Sequence, residues 1–193
     1  MPAHFSKISY RLLGLTILSA NIRITQKKAY VPSDREIYLL LGTNLGDRAA
    51  NLRNATWHIE QAVGPVVQAS SWYETEAWGV REQPSFYNQV IRVSTMLAPE
   101  PLLHTLQGIE RQMGKVKVGH WRERLIDLDI LYYGHRLVRT PFLTLPHPEL
   151  QHRRFTLVPL CEIAPHFVHP VLGKTQEQLL EVCEDRLEVR RVG

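Results

Sequence analysis

Short apolar runs and helix-spaced apolar positions alternate along the chain from residue 37 onward. The apolar run at residues 37–41 predicts a buried strand, and the glycines and asparagine of residues 42–47 favour a tight turn after it. Apolar residues at helical spacing then predict a helix from about Arg48 to Val63. Gly64-Pro65 ends that helix.

The same pattern continues through four further elements. Val66–Glu74 reads as a strand, residues 75–85 as a long irregular loop and Asn88–Met96 as another strand. Pro99–Met113 predicts a second helix, and residues 124–131 predict a fourth strand. The order strand, helix, strand, strand, helix, strand is typical of an α+β, ferredoxin-like βαββαβ sandwich with an antiparallel sheet.

Additional C-terminal elements follow this core. Leu137-Val138 is expected to extend the sheet, Phe155–Ala164 to form a helix, and Val189–Val192 to form a terminal strand.

The first 34 residues have a different character. Leu12–Ala20 is apolar and follows two cations, but it is far shorter than the roughly 20 residues that span a bilayer. We interpret residues 1–34 as an N-terminal extension, partly disordered or a start-site artefact, and residues 35–193 as the domain. A secreted product is the weaker alternative, since Leu18 fits a signal-cleavage site poorly.

The fourth strand carries two acids, Asp127 and Asp129. Residues two apart on a strand share a face, so both carboxylates point one way while Ile126, Leu128 and Ile130 point the other. Carboxylates roughly 6 Å apart repel by about 3 kcal/mol at an effective dielectric of 20, which a bound cation reverses. The pair indicates a Mg²⁺ site; acids on the wet face of an edge strand are the alternative.

Composition and charge set limits on function. The 193-residue chain is 44% hydrophobic and 22% charged, as expected for a globular domain. Six basic and two acidic residues within 1–36 account for the net charge of +4, so 17 basic and 17 acidic residues remain from Ile37 onward. A neutral body argues against nucleic acid as a partner. The spacing of Cys161 and Cys183 suggests neither a metal site nor a disulfide scaffold, and favours the reducing cytoplasm.

Four motifs in order carry a resemblance to a known family. They are Gly42-Thr43-Asn44-Leu45-Gly46, Gln83-Pro84-Ser85-Phe86-Tyr87-Asn88, Arg124-x-x-Asp127-Leu128-Asp129-Ile130-Leu131, and Leu145-Pro146-His147-Pro148 with Arg153-x-Phe155. Together they closely resemble the 6-hydroxymethyl-7,8-dihydropterin pyrophosphokinases of folate biosynthesis. The resemblance implies a ferredoxin-like fold and transfer of pyrophosphate from ATP to the pterin hydroxymethyl oxygen, with release of AMP.

The resemblance also implies roles for individual residues. Two Mg²⁺ ions would lie on Asp127 and Asp129, with Arg124 and Lys115 as further catalytic residues. For the pterin it implies stacking by Phe86 and Phe155, hydrogen bonding by Asn88, and main-chain contacts near Thr75 and Trp78. ATP would be contacted by residues spread along the second half of the chain, namely Gln107, Glu110, Lys117, Trp121, Arg124, Ile130, Thr144, His147 and Arg153.

One segment departs from the family pattern. Arg122-Glu123 replaces the usual small residue and proline before Arg124, and the loop from Lys115 to Trp121 is one residue shorter, with fewer strong cations. Lysine does not reproduce the bidentate fork of arginine, so closure over ATP is expected to be weaker or differently arranged.

Three other functions stay open at this stage: a ferredoxin-like nucleic-acid-binding module, a metal-dependent nucleotidyltransferase, and a catalytically weakened homologue. The neutral body counts against the first. The second leaves Phe86, Asn88 and Phe155 without a role. We therefore expect a monomeric cytoplasmic enzyme whose partners are ATP and the pterin, without nucleic acid or membrane.

Overall fold

The computed structural model describes residues 36–76, 84–114 and 125–192. Its core follows the predicted order of elements. They are β1 (Ile37–Thr43), α1 (Arg48–Ala62), β2 (Val66–Ala69), β3 (Trp72–Thr75), β4 (Phe86–Val93), α2 (Pro99–Gln112) and β5 (Asp127–Tyr133).

The C-terminal part adds three short strands and two helices. They are β6 (Val138–Arg139), β7 (Thr144–Leu145), α3 (Arg154–Ile163), α4 (Gln176–Glu181) and β8 (Val189–Val192). A 3₁₀ turn at Leu150–His152 precedes α3. The predicted third helix and terminal strand are confirmed, whereas α4 was not predicted.

The main sheet has the order β5-β1-β4-β3-β8, and β2 also pairs with β4. All of its strand pairs are antiparallel. The predicted ferredoxin-like α+β fold is therefore confirmed. In this order β5, the strand with both acids, is an outer strand of the sheet.

Apolar side chains pack on both faces of the sheet. Ile37, Leu39 and Leu41 of β1 join the core formed with α1 and α2. Tyr38 and Leu40, one residue out of phase, join a second core with α3 and α4. Because β1 is central, alternate residues enter opposite cores, which explains why its sequence is continuously apolar.

Two sequence predictions about strands are wrong in detail. Leu137-Val138 does not extend the main sheet, because β6 pairs with β7 in a separate two-stranded sheet. The predicted strand Val66–Glu74 is divided at Ser70, whose hydroxyl oxygen accepts the amide hydrogen of Val90 at 3.0 Å. This side-chain bond replaces a main-chain ladder bond and separates β2 from β3.

Candidate active site

One row of register partners crosses the sheet and joins the two predicted halves of the site. Asp127 on β5 lies opposite Gly42 on β1, and Gly42 lies opposite Asn88 on β4. Tyr73 on β3 continues the row beside Asn88. Neighbouring strands are about 4.8 Å apart, so the main chains of Asp127 and Asn88 are separated by roughly 10 Å. The residue between them has no side chain.

The two acids lie on the face of the sheet that packs against α3. Leu128 and Ile130 enter the core with α1 and α2, so Asp127 and Asp129, out of phase with them, are on the opposite face. Both acids are only partly buried. The predicted separation of acidic and apolar positions along β5 is confirmed.

The outer edge of β5 is occupied by polar groups from other elements. The amide of Leu128, between the two acids, donates to Oε1 of Glu110 at 2.9 Å. Three residues on, the carbonyl of Leu131 accepts the amide of His147 at 3.0 Å. Leu131 is the extra residue of a bulge against β1, where Ile130 pairs with Leu39 and Tyr132 with Tyr38. These bonds fix β5 on its unpaired side.

Asn88 is buried and oriented by one hydrogen bond. Its side-chain amide nitrogen donates to Oγ1 of Thr75 at 2.8 Å, and both residues are 3% exposed. A Cβ placed on Gly42 would lie 3.1 Å from Oδ1 of Asn88. The oxygen therefore lies over Gly42, and within residues 36–76, 84–114 and 125–192 no side-chain or main-chain donor is bonded to it, so it can accept a hydrogen bond from a ligand.

Two aromatic side chains flank this region on the same face. Phe86 is two residues before Asn88 on β4, pairs in register with Thr75, and is partly buried. Phe155 lies in the first turn of α3 and packs against the core between the sheet and α3. The guanidinium of Arg153 lies 5.8 Å from the centre of the Phe155 ring. This distance is within the range of a cation–π contact.

His147 is held as a neutral imidazole. Burial and, to a smaller extent, the charge of Arg153 lower its pKa to about 4, while Glu149 acts in the opposite direction. Nδ1 of His147 accepts the amide of Glu149 at 3.2 Å. The proton of the neutral ring is therefore on Nε2, which leaves one N–H donor beside the Arg153 cation.

The remaining predicted residues are more dispersed. Thr144 is exposed on β7, and Gln107 is exposed on α2 three residues before Glu110. The side chain of Ile130 is in the core, so only its main chain can face a ligand. Trp78, Lys115, Lys117, Trp121 and Arg124 lie outside the described residues.

The sequence does not single out Gly42. Its local pattern indicates only the turn after β1, whereas its position between Asp127 and Asn88 depends on the pairing register of three strands. No local pattern carries that register. The hydroxyl of Tyr73, which continues the row, donates to Oε2 of Glu162 on α3 at 2.9 Å, a contact that the sequence pattern likewise does not indicate.

Two kinds of feature are absent from the residues that the structure describes. Within residues 36–76, 84–114 and 125–192, no group of three or more His, Cys, Asp and Glu side chains is arranged to hold a metal ion by itself. Over the same residues, no helix has the length and apolar character needed to cross a membrane.

Comparison with known proteins gives consistent results. The family model described as 7,8-dihydro-6-hydroxymethylpterin-pyrophosphokinase (HPPK) matches residues 38–165. A 2-amino-4-hydroxy-6-hydroxymethyldihydropteridine pyrophosphokinase of Synechocystis sp. is 42% identical over 142 residues, which cover 73% of this chain and 72% of the relative. The enzyme of the same name from Aquifex aeolicus is 38% identical over 138 residues, covering 72% of this chain and 86% of the relative.

Some similar proteins are much longer. The folic acid synthesis protein fol1 of Pneumocystis carinii is 37% identical over 178 residues, and the match covers 86% of this chain but 24% of that protein. Among solved structures, Plasmodium falciparum HPPK-DHPS with pteroate superposes with a TM-score of 0.64 at 19% identity. That superposition covers 76% of this chain and 42% of the other, and it supports the fold.

Proposed function

Because this chain belongs to the 7,8-dihydro-6-hydroxymethylpterin-pyrophosphokinase family, it transfers pyrophosphate from ATP to the hydroxymethyl group of 6-hydroxymethyl-7,8-dihydropterin, and we propose that the transfer occurs over Gly42. The observation that carries this location is the register row Asp127–Gly42–Asn88, which sets an acidic group and a buried amide on either side of a residue without a side chain. The pterin binds on the Asn88 side and the triphosphate on the Asp127 side.

The donor set on β5 fits magnesium. Mg²⁺ prefers oxygen ligands, usually takes one or two carboxylates from protein, and completes its octahedron with water and phosphate oxygens. Asp127 and Asp129 supply two carboxylates on one face of one strand, which suits two ions that share the triphosphate as a ligand. When bound, Mg²⁺ would neutralise phosphate charge and lower the pKa of the pterin hydroxyl.

The protein groups near the acids would act by orientation and charge. The hydroxymethyl oxygen attacks the β-phosphorus, the bond from that phosphorus to the α-phosphate oxygen breaks, and AMP leaves while the hydroxyl proton is lost. Arg153 offers a fixed positive charge to the phosphates, and the Nε2–H of His147 offers a neutral donor. Lys115, Lys117, Trp121 and Arg124 are proposed to act on the triphosphate from the sequence resemblance alone.

Recognition of the pterin would depend on a rigid, partly apolar slot. The Thr75 bond fixes the Asn88 amide, so that Oδ1 presents an acceptor to the amino and ring N–H groups of a pterin. Phe86 and Phe155 supply two aromatic faces, and stacking at such faces adds about 0.5–1.5 kcal/mol per ring pair beyond burial. Main-chain groups near Thr75 and Trp78 would complete the recognised edge.

ATP recognition by Gln107, Glu110, Ile130 and Thr144 is proposed on the same resemblance. For Ile130 the contact would come from the main chain, because its side chain is in the core. We further propose a cytoplasmic monomer. The free thiols of Cys161 and Cys183 support a reducing compartment.

Product analysis tests the reaction directly. The full chain is incubated with ATP, Mg²⁺ and 6-hydroxymethyl-7,8-dihydropterin, and nucleotides and pterins are separated by chromatography. AMP and a pterin diphosphate in equal amounts are expected, and both should disappear when the metal is chelated and return with added Mg²⁺. ADP with a pterin monophosphate, or free pyrophosphate with AMP, would overturn the proposal.

A further inference from the structure

The chain enters β4 through a clamp formed by Arg48, Glu74 and Ser85. Nη1 of Arg48, the first residue of α1, lies 2.8 Å from the carbonyl oxygen of Ser85, 2.6 Å from its hydroxyl oxygen and 2.9 Å from Oε1 of Glu74. The Ser85 hydroxyl in turn donates to Oε1 of Glu74 at 2.6 Å. Phe86 follows directly, so these bonds fix the point from which the β4 segment of the site begins.

The Arg48 side chain lies on the face of the sheet opposite the proposed pterin slot. Its guanidinium is 3.9 Å from the centre of the Tyr87 ring, and Tyr87 packs with the core that contains α1 and α2. Phe86 and Asn88 flank Tyr87 in sequence and therefore point to the other face. Arg48 thus contacts the residue between two pterin residues without reaching the pterin.

Glu74 connects the clamp to the neighbouring strand. It pairs in register with Tyr87, and Thr75, the acceptor for Asn88, follows it on β3. Hydrogen bonds from Ser85 and Arg48 lower the pKa of Glu74, which keeps its carboxylate charged. Arg190 on β8 donates to Oε2 at 2.9 Å from a more exposed position. Arg48 and Arg190 both bond Glu74, but of the two only Arg48 also bonds Ser85.

We propose that Arg48 is a positioning residue for the pterin: it joins the end of β3 to the start of β4 and so sets the relative positions of Thr75, Phe86 and Asn88. This role rests on the proposed function of the sheet face. Charge-assisted bonds of this length are among the strongest polar contacts in proteins, and the stacked guanidinium plane restricts Tyr87 as well. Arg48 therefore determines pterin affinity and has little effect on ATP affinity.

The test measures binding of each substrate separately. Equilibrium binding of 6-hydroxymethyl-7,8-dihydropterin, with a non-hydrolysable ATP analogue present, is compared for wild type, Arg48→Met, Arg48→Lys and Ser85→Ala. Binding of the analogue alone and the thermal midpoint are measured for each protein. Arg92→Met is the matched control. Arg92 lies toward the end of β4 that is far from Phe86, and it forms an ion pair of 3.1 Å with Glu36. Arg190→Met removes the other Glu74 partner and leaves Ser85 bound.

Arg48→Met is expected to weaken pterin binding by about ten-fold or more and to leave analogue binding within about two-fold of wild type. Arg48→Lys should recover part of the loss, since lysine donates to Ser85 and Glu74 but does not reproduce the planar stack on Tyr87. Ser85→Ala should also weaken pterin binding, but by a smaller factor. The two controls, Arg92→Met and Arg190→Met, should bind the pterin as wild type does.

If Arg48→Met weakens binding of the pterin and of the ATP analogue equally, or if the two controls lose as much pterin affinity, the positioning role is overturned and Arg48 contributes only to general stability. Wild type that binds the pterin without releasing AMP would contradict the proposed reaction and leave the positioning role standing. Wild type that binds no pterin would overturn both.

Discussion

The amide of Leu128 donates a 2.9 Å hydrogen bond to Oε1 of Glu110, midway between the two acids of β5. Glu110 belongs to α2 and is only 8% exposed, so this hydrogen bond to β5 is buried in the protein. A bond at this point controls how far the acidic segment can move away from β1. Glu110 therefore connects the second helix to the proposed metal site, in addition to the ATP contact expected from the sequence.

Changing Glu110 separates these two roles. Glu110→Gln keeps an oxygen acceptor for Leu128, so turnover should stay within a few-fold of wild type. Glu110→Leu leaves the amide without that acceptor, which costs roughly 1–3 kcal/mol and should lower kcat by about ten-fold or more. Steady-state kinetics with varied ATP provides the measurement. A large rise in the KM for ATP with Glu110→Gln would instead indicate that the carboxylate charge binds nucleotide.

Gly42→Ala should selectively weaken pterin binding. The new Cβ would lie 3.1 Å from Oδ1 of Asn88, closer than most Cβ contacts in proteins. Neither atom can move freely, because Gly42 is in a central strand and Asn88 is buried. We expect the KM for the pterin to rise by about ten-fold with little change in the KM for ATP. Gly108→Ala on α2 is the control, since among the described residues its Cβ would meet only a side-chain atom of Arg111, at 3.8 Å; an equal effect there would contradict the prediction.

Thr75→Val should release the amide of Asn88 from its fixed orientation. The substitution preserves shape and removes the acceptor of a 2.8 Å bond in a buried place. Pterin affinity should fall by about ten-fold, since leaving a buried donor unsatisfied costs roughly 1–3 kcal/mol. Isothermal titration measures this. Thr95→Val is a matched control: it removes a buried threonine bond to the Val63 carbonyl beyond the far end of β4, and should affect the melting temperature alone.

Replacing either acid of β5 should abolish metal-dependent activity while preserving the fold. Asp127→Asn and Asp129→Asn retain shape and lose charge, and we expect kcat to fall on the order of 1000-fold. A second readout is independent of turnover: Mg²⁺ with an ATP analogue should raise the melting temperature of wild type and not of the variants. Glu60→Gln on the exposed side of α1 should behave as wild type. Full activity in either aspartate variant would exclude the metal proposal.

The neutral state of His147 predicts how stability depends on pH. Its folded pKa of about 4 is below the unfolded value of 6.5, so between these values the unfolded chain binds a proton that the folded imidazole does not. Its contribution to stability is complete above pH 6.5 and declines as the pH falls toward 4. When the pH falls from 7 to 5, the free energy of unfolding should therefore decrease by about 2 kcal/mol less in His147→Gln than in wild type. Urea unfolding at the two pH values measures the difference; identical losses would contradict the assignment.

Local patterns in the sequence predicted the parts of the structure that depend on alternation. The period of two along residues 124–131 correctly separated the acids from Leu128 and Ile130, and the order of elements predicted the ferredoxin-like sheet. The break at Ser70 escaped prediction because it comes from a bond to Val90, twenty residues away. Likewise, α4 is only six residues long and is stabilised at its start by the capping box of Thr175 and Gln178.

The contacts between residues on different strands could not be predicted from the sequence, for a different reason. The row that joins Asp127, Gly42 and Asn88 requires the register of β5, β1 and β4, and a shift of one residue would move every side chain to the other face. The Arg48 clamp similarly combines residues 26 and 37 positions apart. The roles of Asp127, Asp129, Asn88 and the other proposed site residues stay predictions, which the experiments above address.

The occupied edge of β5 also affects how one molecule meets another. Outer strands with free main-chain groups readily pair with strands of other molecules and so promote aggregation. On β5, Glu110 and His147 take up the amide of Leu128 and the carbonyl of Leu131. On the opposite outer strand, β8, Arg190 and Arg191 place two charges in a four-residue segment. The bonds that hold the acid-bearing strand in place therefore also oppose growth of the sheet from one copy into the next.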